Sequence, residues 1–165
     1  MGLKQELGLD LAIETAEHEC LLNIVYTGLM VNKSAHRYFS LHGITETQFN
    51  LLMQLKYTIS DGLSQAALSK RLVVNKADMT GVIDRLEKRK FVERSADKSD
   101  RRVNLIRITK NGREILLKVE KVYFEEVQRL LAGCSKADIK TVIRGLETIR
   151  KNLRASYSRV FAKDL

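Results

Sequence analysis

The stretch from Ser64 to Thr109 reads SQAALSKRLVVNKADMTGVIDRLEKRKFVERSADKSDRRVNLIRIT. Its patterning predicts a short helix, a tight turn, a longer amphipathic helix and two short β-favouring runs on either side of a charged tip. This order of elements is typical of a winged helix-turn-helix, whose second helix fits a DNA major groove and whose hairpin reaches a neighbouring minor groove. We therefore treat residues 44–110 as a candidate DNA-binding module, which we call the winged module.

The longer helix of this stretch separates apolar from polar side chains. Asn75 is predicted to cap its N-terminus. Its apolar side chains recur at helical spacing and are expected to be buried: Met79, Val82, Ile83 and Leu86. On the opposite face we expect four residues near base edges and two near phosphates, namely Lys76, Ala77, Thr80 and Gly81, and then Arg85 and Lys88. Taken alone, this pattern is that of any solvated amphipathic helix, and it is the hairpin after it that favours DNA binding.

The tip of the hairpin carries an acidic residue followed by two arginines, Asp100, Arg101 and Arg102. An arginine in this position can enter a minor groove and sense its width and negative potential. A neighbouring carboxylate can hold such an arginine extended through a charge-assisted hydrogen bond. We expect Arg102 to enter or flank the minor groove, with Arg101 assisting and Asp100 orienting it.

These residues also carry a family resemblance. The spacing Asp100-x-Arg102-x-x-x-Ile106-x-Ile108-Thr109 resembles the wing signature D-x-R-x-x-x-L-x-L-T of the MarR family of bacterial transcriptional regulators, and Gly112 fits its longer form. The segment DRLEKR, residues 84–89, is similar to the end of that family's recognition helix. The resemblance implies sequence-specific binding of double-stranded DNA by a homodimer on a pseudo-palindromic operator, most often as a ligand-responsive repressor.

The chain departs from the family pattern at three positions. Lys98 stands where proline is usual in the wing. Lys90 stands where a glycine commonly ends the recognition helix, so a left-handed backbone there would carry strain of roughly 1 kcal/mol. Gly81 occupies a position where many relatives have a longer polar side chain, so the operator sequence cannot be carried over from them.

Positive charge is concentrated in the winged module. The chain of 165 residues has a formal net charge of +9. From Ser60 to Arg113 there are 14 lysines and arginines against 7 acidic residues, whereas the rest of the chain has 15 against 13. A basic excess in one module is the footprint expected for phosphate contacts, although surface lysines are common in other proteins too.

The termini are predicted to be helical and to dimerise. Residues 10–41 should form one long helix that is apolar on more than one face and so needs more than one packing partner. Residues 112–162 hold two further amphipathic helices with apolar stripes at helical spacing. Because the family dimerises through its terminal helices, the resemblance implies a dimerisation region here, and an intramolecular helical hairpin is the alternative. We expect one mainly α-helical unit over residues 1–165, with a small β-hairpin wing.

The resemblance also implies a small effector, because relatives bind aromatic or anionic molecules between the dimerisation helices and the winged module. Aromatic and methionine walls with one cation suit such molecules. The candidate lining residues are Tyr26, Met30, Arg37, Tyr38, Met53 and Tyr57.

No catalytic or metal-binding motif is visible, so we expect neither an enzyme nor a cofactor. The two cysteines, Cys20 and Cys134, are far apart in sequence and suit a reducing compartment as buried thiols. Some relatives sense peroxide through a cysteine in the first helix, which makes Cys20 a candidate redox residue. Packing is the favoured role for Cys20, because it shares an apolar line with Ala16 and Ile24 and has Glu17 and Glu19 beside it.

Two further observations bound the function. No run of about 18 apolar residues and no targeting segment is present, so we expect no membrane partner and a cytoplasmic location in a bacterium or archaeon. A winged-helix module can also serve protein–protein contact, in which case the chain would bind DNA weakly and without salt dependence. That interpretation and a redox sensor using Cys20 are the alternatives to a ligand-responsive regulator.

Overall fold

The computed structural model of the chain describes residues 2–8, 13–96 and 103–161, with side chains up to residue 156 in the last range. Helices dominate it, and a small antiparallel sheet accompanies them, which confirms the predicted fold class. The elements are α1 (Leu3–Glu6), α2 (Ala16–Leu41), α3 (Glu46–Lys56), β1 (Leu63–Ser64), α4 (Gln65–Leu72), α5 (Lys76–Lys88), β2 (Val92–Ala96), β3 (Asn104–Ile108), α6 (Lys110–Leu130) and α7 (Lys136–Phe161).

The chain divides into two compact units, residues 1–121 and residues 122–165. The first contains the whole winged module, and the second contains the end of α6 and all of α7. The assignment of residues 10–41 and 112–162 to dimerisation stays a prediction.

The sheet has three strands in the order β1-β3-β2. The hairpin pairs Val92 with Ile108 and Ala96 with Asn104. Strand β1 adds the pair Leu63 and Ile106 on the other side of β3. The hairpin was predicted, whereas β1 was not, because two residues are too few to show a strand periodicity.

The core of the winged module forms where α3, α4, α5 and the sheet meet. The predicted buried face of α5 is confirmed, since Met79, Ile83 and Leu86 are fully buried and Val82 is 5% exposed. Fully buried partners come from the neighbouring elements, namely Phe49, Leu51 and Leu52 of α3, Leu68 of α4 and Ile106 of β3. Each such side chain contributes about 1.5–3 kcal/mol relative to exposure, so the position of α5 is strongly determined.

Side-chain caps set the helix starts. A capping box at Thr45 and Gln48 begins α3. The Ser64 hydroxyl accepts from the Ala67 amide at 3.2 Å, and the Asn75 side chain accepts from the Asp78 amide at 2.8 Å. The predicted start of the first long helix at Asp10 is wrong: α2 begins at Ala16, because Thr15 caps it.

Two non-glycine residues have a left-handed backbone among the described residues, and both end a helix of the winged module. Lys90 has φ 57°, as its position predicted. The backbone amide of Lys90 donates to the Glu87 carbonyl, and the backbone amide of Phe91 donates to the Leu86 carbonyl. This is the hydrogen-bond pattern of a Schellman motif. Val73, with φ 54°, forms the turn between α4 and α5 and is 93% exposed. A left-handed residue with a branched side chain costs roughly 1–2 kcal/mol, so this turn is strained.

Two helices expose apolar side chains that their own units leave uncovered. In α2 the exposed residues are Leu21, Val25, Leu29, Met30 and Val31. In α7 they are Val142, Ile143 and Leu153. The expectation that the N-terminal helix needs more than one packing partner agrees with this exposure. Within the described ranges, no helix combines the length and apolarity needed to cross a membrane.

Candidate nucleic-acid interface

The predicted DNA-contacting residues of α5 lie together on its exposed side, which we call the recognition face. It consists of Lys76, Ala77, Thr80, Gly81, Arg85 and Lys88, all exposed except for the half-buried Gly81. After Lys76, its N-terminal half carries the small residues Ala77, Thr80 and Gly81, and its C-terminal half carries the long cations Arg85 and Lys88. Because small side chains let a helix backbone approach base edges, the N-terminal half is shaped for the floor of a major groove.

A side chain from the preceding helix braces the start of α5. Gln65 is the first residue of α4. Its side-chain amide nitrogen, Nε2, donates to the Thr80 hydroxyl at 2.6 Å and to the Lys76 carbonyl at 3.1 Å. The Thr80 hydroxyl in turn donates to the Lys76 carbonyl at 3.0 Å. The proton of the Thr80 hydroxyl is therefore engaged within the protein. Sequence reasoning missed Gln65, since no pattern links positions 15 residues apart.

A groove of about 580 Å³ runs beside the recognition face. Its walls come from Thr47 of α3, from the turn residues Val73 and Val74, and from Gly81 and Arg85 of α5. The strained turn thus forms one wall of the groove next to the N-terminal half of α5.

Strand β2, the first strand of the wing, is joined to α5 by two ion pairs. The guanidinium of Arg94 in β2 donates to the Asp84 carboxylate at 2.5 Å and also to the Glu87 carboxylate. The sequence singled out Asp84 only as part of the segment that resembles the end of the family's recognition helix, and it did not single out Arg94. Two ion pairs from one arginine fix the angle between the wing and the recognition face better than either would alone.

We expect Arg94→Gln to lower the free energy of unfolding by about 1 kcal/mol, because these pairs are partly exposed and screened by solvent. Urea unfolding measures the loss. A double-mutant cycle with Asp84→Asn should give a coupling energy of about 0.5 kcal/mol. Strictly additive losses would show that the two side chains do not interact.

Thr109, the residue immediately before α6, closes the base of the wing. Its backbone amide donates to the Phe91 carbonyl at 3.1 Å, and its hydroxyl donates to the Lys90 carbonyl at 2.6 Å. The same hydroxyl accepts from the amide of Gly112 at 3.1 Å, so Thr109 caps α6 while holding the end of the hairpin to its beginning. Thr109 belongs to the family signature, and these hydrogen bonds give it a structural role.

The predicted wing-tip contacts lie outside the described residues. Asp100, Arg101 and Arg102 fall between residues 96 and 103. Their roles stay predictions, and the described pairing of β2 with β3 ends at Ala96 and Asn104.

The candidate effector residues lie in the first unit, and two of them meet α6. Tyr38 donates to the Val119 carbonyl at 2.8 Å, and Tyr57 donates to the Glu120 carboxylate at 2.6 Å. Met30 and Arg37 are exposed on α2, while Tyr26 and Met53 are half-buried. The structure therefore engages both phenol groups of Tyr38 and Tyr57 within the chain, and it does not test the proposed pocket.

Glu120 is a buried carboxylate held by two donors, Lys56 and Tyr57. Burial raises the pKa of the Glu120 carboxyl, but the hydrogen bonds from these donors outweigh burial and hold its pKa below the usual value. The hydrogen bond to Glu120 raises the pKa of the Lys56 ammonium.

This pair predicts a pH dependence of stability. A carboxyl with a lowered folded-state pKa stabilises the protein above its unfolded pKa, and that contribution is lost as the pH falls through the folded pKa. Lys56, with a raised pKa, loses its contribution only as the pH rises through its folded value. We expect Glu120→Gln to cost about 1 kcal/mol near pH 7. Urea unfolding should show this difference shrinking as the pH falls through the lowered folded-state pKa of Glu120. A difference that persists in acid would contradict the role of the charge.

The predicted burial of the two thiols is wrong within the single chain, because Cys20 and Cys134 are both exposed. The apolar line that carries Cys20 faces outward along much of α2, where sequence periodicity cannot distinguish a core from an uncovered face. Over the described residues, no group of three histidine, cysteine or acidic side chains could hold a metal ion.

The recognition face lies in the part of the chain that matches a known family. The model of the MarR family matches residues 44–103. The transcriptional activatory protein BadR of Rhodopseudomonas palustris is 31% identical over 130 residues, which are 76% of this chain and 73% of that protein. The transcriptional repressor YetL of Bacillus subtilis is 26% identical over 141 residues, covering 86% and 84%.

Among solved structures, the complex of Staphylococcus aureus MepR with DNA superposes with a TM-score of 0.74 at 20% identity. The match covers 84% of this chain and 99% of that one. The fold of the winged module agrees with the family match, which covers α5 and the first strand of the wing, β2. This chain belongs to the MarR family and is a DNA-binding transcriptional regulator, not an enzyme.

Proposed function

We propose that the chain works as a homodimer that binds a pseudo-palindromic operator sequence-specifically and responds to a small ligand. The observation that carries this is the recognition face, which α5 presents while its other face is fully buried. Gln65 and Arg94 brace α5 from α4 and β2, so the recognition face is held as one surface. A dimer would place two such faces about one DNA turn, ~34 Å, apart.

The uncovered apolar side chains of α2 and α7 support dimerisation. Val142, Ile143 and Leu153 of α7 are about half exposed, and α2 exposes a comparable set. A second copy of the chain would remove these surfaces from water. Sedimentation velocity should give twice the 18.8 kDa of one chain. Ile143→Glu should give monomers that no longer bind the operator, whereas a monomeric wild-type protein at micromolar concentration would refute the dimer.

The spacing of the half-sites tests the operator model. Once a preferred sequence is known, an insertion of about 5 base pairs between its halves places them on opposite sides of the duplex. We expect this insertion to abolish tight binding, and unchanged affinity would mean that each chain binds independently.

We propose that Arg102 of the wing enters the minor groove in each half-site. Arg102→Ala should weaken operator binding about tenfold at ~150 mM salt, through the lost groove contact and the lost charge. Arg101→Ala serves as the control and should have a smaller effect, because Arg101 assists only. Fluorescence anisotropy measures both affinities, and a wild-type affinity for Arg102→Ala would remove the wing contact.

A small aromatic or anionic effector would act by changing the spacing of the two winged modules, which shifts the dimer between DNA-compatible and incompatible populations. The chemistry of the candidate lining residues supports this proposal, because Tyr26, Tyr38 and Tyr57 are aromatic and Arg37 is an exposed cation. A panel of aromatic carboxylates should include compounds that release the protein from its operator. Release that is unchanged in Tyr57→Phe and Arg37→Ala would place the effector elsewhere.

We propose repression as the sign of regulation, because a dimer bound across a promoter blocks polymerase without any further contact. BadR is named for activation and YetL for repression, so a promoter-fusion assay is needed. Reporter expression should rise when the regulator is deleted. The redox alternative rests on Cys20, and operator binding that is unchanged after peroxide treatment would exclude it.

A further inference from the structure

The side chain of Arg85, which the sequence analysis placed near phosphates, lies back along α5 over Gly81. A Cβ atom built on Gly81 would lie 3.3 Å from Nη1 of Arg85 and 3.9 Å from its Cζ and Nη2. The guanidinium therefore lies across Gly81, one helical turn before its own Cα atom. This direction is the one that helical side chains prefer, because their Cα–Cβ bonds tilt towards the N-terminus.

The guanidinium of Arg85 is held by no hydrogen bond or ion pair from the rest of the described chain. Asp78, one turn before Gly81, is engaged by the Asn75 side chain at 2.5 Å. Four other arginines of the winged module donate within the chain: Arg71 to Gln54, Arg89 to Gly43, Arg94 to Asp84 and Glu87, and Arg107 to Asp61.

We propose that Arg85, laid across Gly81, reads a guanine in each half-site and is thus a specificity-determining residue. This inference rests on the proposed sequence-specific function. The N-terminal half of a recognition helix is the part that meets base edges, and Gly81 brings the guanidinium to that half. A guanidinium fork matches the O6 and N7 acceptors of guanine in the major groove. The missing side chain at position 81 therefore makes room for the arginine that reads the base in its place.

Selection of DNA from a random pool, followed by anisotropy on single-base variants, tests this with the full-length chain. The wild type should select a guanine in each half-site, and replacing it should weaken binding about tenfold to a hundredfold. Arg85→Lys keeps the charge but loses the fork, so its preference for that base should fall to about threefold or less while preferences elsewhere persist.

Two matched variants separate the roles of position and charge. Gly81→Leu fills the place of the guanidinium and should remove the same base preference, although residue 85 is unchanged. Its thermal midpoint should not fall, because leucine is a better helix former than glycine. Lys88→Ala removes a phosphate contact and should weaken binding to all sequences alike, with a shallower dependence on salt.

The outcomes separate this inference from the function on which it rests. If the wild type selects a pseudo-palindrome, and Arg85→Lys and Gly81→Leu keep its base preferences, Arg85 contacts phosphate and the inference is wrong while the proposed function stands. If the wild type selects no sequence at all, both are wrong.

Discussion

Gly112→Ala is expected to lower the free energy of unfolding by about 3 kcal/mol, with a fall in Tm of roughly 10 °C. A Cβ atom at this position would lie 2.0 Å from the Phe91 carbonyl oxygen and 2.9 Å from Cγ1 of Ile108. The carbonyl cannot move aside without breaking the hydrogen bond that it accepts from the Thr109 amide. Alanine is the better helix former by about 1 kcal/mol, so the steric cost must exceed the expected loss by about that amount.

Gly145→Ala is the matched control, because Gly145 is also helical and a Cβ atom there would meet nothing within 4 Å. We expect this variant to be as stable as the wild type or slightly more stable. Thermal and urea unfolding measure both proteins. Equal stability of Gly112→Ala and the wild type would mean that α6 does not approach Phe91 as closely as described.

Thr109→Val is expected to lower the free energy of unfolding by about 2 kcal/mol. Valine preserves the shape of threonine but removes the hydroxyl that donates to the Lys90 carbonyl and accepts from the Gly112 amide. About half of the loss should come from the missing helix cap and half from the hydrogen bond across the base of the wing.

Thr109→Ser retains the hydroxyl and should stay within about 0.5 kcal/mol of the wild type. Urea unfolding of the three proteins decides between a hydrogen-bonding role and a packing role. A serine variant as unstable as the valine variant would show that the methyl group, not the hydroxyl, matters at this position.

The two residues explain why a signature of this kind ends in Thr-x-x-Gly. Thr109 ties the end of β3 to the turn that precedes β2, and Gly112 lets α6 pass directly over that turn. The wing therefore has a fixed base next to the end of α5, whatever its tip contacts. Lys90, left-handed without being glycine, is the strained member of the same junction.

Local features of the winged module could be predicted from the sequence because they depend on near neighbours. The cap at Asn75, the buried face of α5 and the left-handed Lys90 each follow from residues within about four positions. The hairpin followed from two β-favouring runs around a polar tip. The start of α2 was misplaced, because an apolar pattern continues past the threonine that caps the helix.

Contacts between distant residues could not be predicted. Gln65 reaches Thr80, Arg94 reaches Asp84, and Glu120 reaches Lys56 through long side chains whose partners no periodicity specifies. The direction of the Arg85 side chain could not be predicted either, because it depends on the absence of a side chain at Gly81, one turn earlier. The α7 stripe was visible in the sequence, but whether a stripe faces its own chain or a second copy is not encoded in its period.

The central claim is that this chain is a sequence-specific DNA-binding regulator, and an anisotropy titration tests it most directly. Labelled DNA from upstream of its own gene would be titrated at two salt concentrations, with unrelated DNA as competitor. We predict tight binding that survives the competitor and weakens steeply with salt, as expected when several phosphates are neutralised in each half-site. Binding that the competitor erases at both salt concentrations would contradict the claim and leave only a basic surface.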